Sequence, residues 1–532
     1  MRVGFRTKSR QSGATIMLLL LMLPVFLIPL VGLGIDATRM YIVQSKLSAA
    51  LDGAALAAGR LLGSTANITN IAGEFLQANY PPGFWGTYNF QSNVSYSNNL
   101  GTQKITVSAS VNVPMTFLRV IGLTAAPIGD TAVATRAVTR VLMVLDRSGS
   151  MHHTDPITGN DVFTMMQSGA EWFAAQFTPG YDELGLIVFN GGASVAYPAY
   201  SLPYNPSPSA SGGPDTNFAT NPATDTGPIF TQLQAMAVGG GTGTPEALAM
   251  AYIELQKAHN RDVLLNGVDN TLNTIVLFTD GVPDSIAAYF NNPNGNSLKS
   301  APQCSCQYNP ASSSNTASQM RGYIVATSSP AGPTGSGGWT IPWAILDLPA
   351  YDNSQTLTWW LGTHGATYTG PMVPGSALHN CQYLCNGGNN CNANDLKQIP
   401  PIDMYGYPTT GSAYTNSYLT DGTNYWHPNT STYNPNAPTD GYSVAAASWN
   451  DTDAIGNVIR GQTTMNPIQI FTIGYSGNGG TDIGLLKRLA NTSDSTSFNS
   501  SQPVGHFYQV DNTDELTQAF DQVASSLLRL AR

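Results

Sequence analysis

Four short apolar runs, RVLMVLD, ELGLIVFN, NTIVLFTD and IQIFTIGY, starting at residues 140, 183, 273 and 468, constrain the fold more than any other feature of the sequence. Each is too short for an ordinary helix, is rich in Val, Ile and Leu, and shows no polar alternation. That is the pattern of a strand covered on both faces. Helical periods at 162–177 and 245–259 lie between the runs. Strands alternating with helices predict an α/β fold, a doubly wound and mainly parallel sheet with helices on both sides. In such a sheet the loops beyond the carboxyl ends of the strands form the ligand crevice.

Those loops carry a consistent chemistry. Asp146, Ser148 and Ser150 follow the first run, and Asp280 ends the third. Gly239, Gly240 and Gly241 precede Thr242, which with Thr244 lies just ahead of the helix that Pro245 begins. Two carboxylates and several hydroxyls offer only oxygen ligands. They suit a hard divalent cation, Mg²⁺ first, with Mn²⁺ or Ca²⁺ as alternatives. Mg²⁺ keeps water in its shell, so one position could be filled by a carboxylate from a protein partner. An isolated Asp-Ser-Gly stretch after a strand more often makes a turn and a helix N-cap; the meeting of three segments favours the cation.

The neighbouring residues read more plainly. Asp284, after Pro283, is expected to be a turn residue, with an outer-shell contact through water as the alternative. His152 and His153 read as exposed loop residues. A triad of Ser148 with a histidine and an aspartate is conceivable, but nothing here resembles a G-x-S-x-G nucleophile elbow. The chain is therefore not expected to be an enzyme.

DRSGS at 146–150, GGGTGT at 239–244 and FTDG at 278–281 together resemble the metal-ion-dependent adhesion site of von Willebrand factor type A domains. The resemblance implies metal ligands at Asp146, Ser148, Ser150, Thr242 and Asp280. It covers residues 138–284 and 443–532, and the intervening 285–442 is an insertion that the family pattern lacks.

Ahead of this lies ATIMLLLLMLPVFLIPLVGLGI, residues 14–35, with no charged side chain. At 1.5 Å per residue, 22 residues can cross about 30 Å of hydrocarbon. Arg2, Arg6, Lys8 and Arg10 precede it, which predicts a cytoplasmic tail at 1–13 and an exported remainder. A cleaved signal peptide is the alternative; its apolar region is usually shorter, and no A-x-A site closes this one. Pro24 and Pro29 are expected to kink the helix. The chain continues as a Pro-free, Ala- and Leu-rich helix over 36–62, with Leu47, Leu51, Ala54, Ala55 and Ala58 on one stripe. Two alternating strands and a short helix at MTFLRVIGL then complete a small α+β module ending at 137.

RQSGATIMLLL and DATRMYIVQSKLSAALDGAALAAG are similar to the start of TadG-type proteins of tight-adherence (Tad, or Flp) pilus assembly. That resemblance implies a bacterial envelope protein held in the inner membrane by one helix, with pilus-assembly subunits as candidate partners. Related prepilin-like members carry Glu soon after the processing-site glycine; here Gly13 is followed by ATIMLLL, which favours retention as an anchor.

Charged residues make up 10% of the chain, and the net charge is −10. Without the four basic residues of the tail, 18 basic side chains face 32 acidic ones, a balance of −14. An acidic body argues against nucleic acid as a partner, since phosphate binding needs clustered Lys and Arg. All five cysteines, Cys304, Cys306, Cys381, Cys385 and Cys391, lie in the insertion. In an exported chain they read as a local disulfide framework; a zinc site using His379, Cys381, Cys385 and Cys391 is the alternative. Trp359, Trp360 and Trp426 read as core of that insertion, or as a binding face.

Overall fold

The computed structural model describes residues 11–59, 67–99, 102–199, 205–291, 319–325, 343–346, 382–383, 399–411, 434–436, 441–477 and 481–530. The chain divides into two compact units, residues 1–137 and 138–531.

The first unit is built on α1 (Gln11–Gly59), a helix of 49 residues, continuous through positions 24 and 29. Most side chains between 14 and 29 lie outside the described residues, and so does the test of a membrane span there. Among the described residues no helix is long and apolar enough to cross a membrane. After α2 (Ile68–Asn79), strands β1 (Tyr88–Asn99), β2 (Thr102–Pro114) and β3 (Ala125–Ala137) form an antiparallel sheet in the order β1-β2-β3. The expected helix at MTFLRVIGL is a single 3-10 turn, Leu118–Ile121. Val43, Leu47, Leu51, Ala54 and Ala58 of α1 pack on Ile105, Val107, Val111 and Val113 of β2. Small residues on this stripe let the helix lie close to the sheet.

In the second unit β4 (Thr139–Asp146) leads through α3 (Val162–Ala174) to β5 (Glu183–Phe189), the edge strand β6 (Ala193–Tyr197) and α4 (Pro228–Gln234). The long α5 (Thr244–Asn266) returns the chain to β7 (Leu272–Thr279). Four strands follow: β8 (Ser285–Asn291), β9 (Gln319–Val325), β10 (Trp343–Leu346) and β11 (Gln382–Tyr383). Then come α6 (Gly441–Gly461), β12 (Ile468–Tyr475), α7 (Ile483–Ala490), β13 (Phe507–Val510) and α8 (Asp514–Leu530). The main sheet has the order β13-β12-β7-β4-β5-β6 and is parallel except at β6. This is the doubly wound sheet expected from the four apolar runs.

Its two faces follow from the period of two along each strand. Val141, Met143 and Leu145 of β4 enter the core beneath α3, α4 and α8, while Leu142 and Val144 enter the core beneath α5, α6 and α7. Deleting one such side chain, as in Leu145→Ala, would cost about 2–5 kcal/mol through lost transfer energy and the cavity left behind.

Within the insertion, β8 to β11 form a separate antiparallel sheet in the order β11-β10-β9-β8. The five cysteines, His379 and the three tryptophans lie outside the described residues. Thr513, whose position suggests an N-cap of α8, places its hydroxyl against the Thr158 hydroxyl, and its amide donates to Asp155 Oδ2 at 2.5 Å.

A candidate metal centre at the carboxyl edge of the main sheet

β4 and β7 are neighbours in the sheet and run in the same direction, so Asp146 and Asp280 emerge side by side. Both are fully buried. The Ser148 amide donates to Asp146 Oδ1 at 2.7 Å, and the Thr279 hydroxyl donates to Asp146 Oδ2 at 2.5 Å. Ser148 Oγ lies 2.9 Å from Ser150 Oγ, which in turn donates to Asp280 Oδ1 at 2.7 Å. Four of the five expected residues thus form one connected group.

Thr242 reaches it through the glycine loop. Gly239 and Gly240 have φ values of 147° and 95°, in the region that favours glycine. Their backbone is stitched to the first loop: Gly239 N donates to Arg147 O, and Gly149 N to Gly240 O, each at 2.8 Å. Thr242 then stands beside Gly281. A Cβ added to that glycine would lie 3.1 Å from Thr242 Oγ1 and 3.6 Å from Ser150 Oγ.

Asp284 differs from the expectation. It makes no turn and is buried, because its carboxylate accepts from the Thr242 amide at 2.5 Å while its own amide donates to Thr242 O at 3.0 Å. This two-way clasp holds the threonine loop against the loop after β7. The only signal in the sequence was proximity to FTDG. Thr279, which steadies Asp146, is marked in the sequence only as the end of the third apolar run. His152 is exposed as expected, but His153 is half-buried, with its ring against Tyr475 and Nδ1 at 2.8 Å from Ser150 O.

The electrostatics give a test of whether a cation fits. Burial pushes the Asp146 carboxyl up to about 6, against hydrogen bonds from Thr279 and Ser148. Burial pushes Asp284 up to about 7, against the Thr242 amide, and the charge of Asp146 adds to the shift. Burial thus opposes the charge of both Asp146 and Asp284, and a divalent cation at this edge would favour their ionised state. The hydroxyls of Ser148, Ser150 and Thr242 are already gathered there, so the donor set fits a hard cation with few direct charges. Among the described residues no three Asp, Glu, His or Cys side chains gather as a metal site by themselves.

Comparison with known proteins adds a family match at the N-terminal segment. Residues 13–61 match the family described as "Putative Flp pilus-assembly TadE/G-like". The N-terminal segment is TadE/G-like. The match takes in α1 except its first two residues and ends two residues beyond it, and no curated protein matches the chain. Among solved structures the chain is similar to the PilB minor pilin from Streptococcus sanguinis, with 12% identity and a TM-score of 0.33, covering 84% of this chain and 80% of that one. It is also similar to the vWF domain of the type V pili tip protein Mfa5 from Porphyromonas gingivalis, with 14% identity, a TM-score of 0.30, and 74% and 98% covered. A von Willebrand factor type A protein from Catenulispora acidiphila gives 12% identity, a TM-score of 0.19, and 39% and 54% covered. Scores of this size do not by themselves establish a shared fold. The order and direction of the six strands describe it directly.

Proposed function

We propose that this is a cell-envelope protein of Tad pilus assembly, anchored in the inner membrane by residues 14–35. In this reading it binds a protein partner through a divalent cation held by Asp146, Ser148, Ser150, Thr242 and Asp280. The observation that carries the reading is the meeting of these side chains, from three loops, at one edge of the sheet. Bound there, Mg²⁺ would supply positive charge for a partner's carboxylate. The chain's own residues hold the donors: Thr279 fixes Asp146, Ser150 bridges Ser148 to Asp280, and Asp284 pins Thr242. The Tad match over 13–61 supports the pilus side of the reading.

The site supports binding rather than catalysis. Ser148 is buried, and its hydroxyl meets Ser150 rather than a histidine. A second reading is favoured by the Tad segment itself: a structural scaffold in which the cation only stabilises the loops and the N-terminal helix makes the functional contacts.

Surface attachment and pilus assembly by cells expressing Asp280→Ala, or a deletion of residues 13–60, separate the two readings. The adhesive reading expects Asp280→Ala to lose attachment while the protein stays abundant in the envelope. Unchanged attachment by Asp280→Ala, with loss only in the deletion, would establish the scaffold.

A further inference from the structure

Two segments far apart in sequence are clamped to α1 where its charge-free run ends. Gly32 and Asp36, one helical turn apart, face the loop after β2. A Cβ at Gly32 would overlap Phe117, so the loop packs directly on the helix backbone. Asp36, fully buried, accepts from the amides of Thr116 and Phe117 at 2.9 Å and of Leu118 at 2.8 Å. Burial disfavours its charge, but these three donors outweigh burial and hold the carboxyl below its ordinary value. Arg39, one turn further on, donates to Pro114 O at 2.8 Å and to the carbonyl of Trp85.

Beyond this clamp the loop presents apolar side chains to the outside. Val120 is 88% exposed and Leu123 is 50% exposed, although the 3-10 turn that contains Val120 and precedes Leu123 is fixed to the helix through Leu118. On α1 at the same level Leu30 and Leu33 are exposed, and Trp85 and Tyr41 are exposed just beyond it. Single exposed apolar residues are ordinary. Here they come from α1 and from the two segments bonded to it between Gly32 and Arg39, with Tyr41 and the Arg39-bound Trp85 on the side away from the charge-free run. Gly32 lies three residues inside the end of that run, within about 5 Å of it along the helix axis.

We propose that the loop 117–123 is a membrane wedge that inserts into the lipid leaflet on the exported side. It rests on the reading of residues 14–35 as a membrane span. Val120 and Leu123 enter the apolar boundary, Trp85 and Tyr41 sit at headgroup depth, and the exposed Arg119 meets lipid phosphate. The clamp at Gly32, Asp36 and Arg39 makes helix and wedge one body, so the depth of the anchor is fixed at two points.

The test uses the full chain in vesicles of phosphatidylcholine and phosphatidylglycerol, with a bimane label on a single introduced cysteine at Val120→Cys, Leu20→Cys or Ser95→Cys. Signal from the native cysteines is subtracted using unsubstituted protein labelled in parallel. Quenching by lipids carrying a nitroxide near the acyl boundary is read at each position. The wedge predicts quenching at position 120 about threefold or more above that at 95, together with quenching at 20. Quenching at 20 but not at 120 overturns the wedge alone. Absence of quenching at both overturns the membrane span, and the wedge with it.

Discussion

The two ends of β4 handle buried charge in opposite ways. At its start Arg140, fully buried, donates to Glu183 at 2.5 Å, Asp262 at 2.5 Å and Asp269 at 2.9 Å. At its end Asp146, equally buried, is met by the amide of Ser148 and the hydroxyl of Thr279, with Asp280 and Asp284 close by. The consequences differ. Burial opposes the charge of Asp269, but the Arg140 guanidinium outweighs it and holds that carboxyl below its ordinary value, whereas at Glu183 burial wins. At Asp146 burial outweighs the hydroxyl and amide donors. One end of the strand is neutralised by a cation from the chain; the other is arranged as though the cation came from elsewhere.

Removing the guanidinium should give the largest effect. Arg140→Met leaves two or three acids buried together, and the second unit should lose about 3–5 kcal/mol in urea unfolding, with or without Mg²⁺. A loss below about 1 kcal/mol would mean that the two ends of β4 are less different than their contacts indicate.

A further buried acid, outside β4, sharpens the comparison. Among the described residues both carboxylate oxygens of Asp451 on α6 are buried without a hydrogen-bond partner, and burial pushes its carboxyl well up, with the charge of Asp403 adding to it. Burial likewise raises Asp403 to about 7, against the amides of Tyr407 and Tyr405. An acid whose folded value is raised binds its proton more tightly folded than unfolded. Its cost to stability is therefore absent below the ordinary carboxylate value and grows as pH rises towards the folded value. Unfolding midpoints should fall between about pH 4 and pH 7, and Asp451→Asn should flatten that fall and raise stability by about 1–3 kcal/mol at neutral pH. A destabilised Asn variant at neutral pH would show that the Asp451 charge is compensated in the folded protein.

Ser150→Ala should have the smallest of these effects. It removes one hydroxyl between Ser148 and Asp280 while leaving both carboxylates, so Mg²⁺ affinity should fall about tenfold with folding unchanged. An unaltered affinity would remove Ser150 from the ligand set.

The legible parts of the molecule are those where one local rule decides. The runs at 140, 183, 273 and 468 carry an apolar pattern that only a two-faced buried strand explains, and all four are strands of one sheet. Asp146, Ser148, Ser150 and Asp280 stand just beyond two adjacent parallel strands, so strand direction brings these four to one edge, while Thr242 arrives through the glycine loop bonded to Arg147 and Gly149. What escaped depends on tertiary contacts. Asp284 follows a proline and carries every local mark of a turn, yet the Thr242 loop closes over it. Helix α6, GYSVAAASWNDTDAIGNVIRG, has Gly, Asn, Asp and Thr throughout, which argues against a helix until Trp449, Ile455 and Ile459 are seen packed under the sheet. Strands β8 to β11 draw partners from separated parts of the insertion, a pairing that no local pattern encodes.

The proposed cation site at the carboxyl end of β4 is open to a direct measurement. Titration calorimetry of residues 1–532 with Mg²⁺, with Mn²⁺ as a second probe, tests it against Asp146→Ala. One saturable site is expected, which Asp146→Ala abolishes while the thermal transition of the second unit, which carries Asp146, is retained. Absence of binding to the unsubstituted protein, or equal binding by Asp146→Ala, would contradict it.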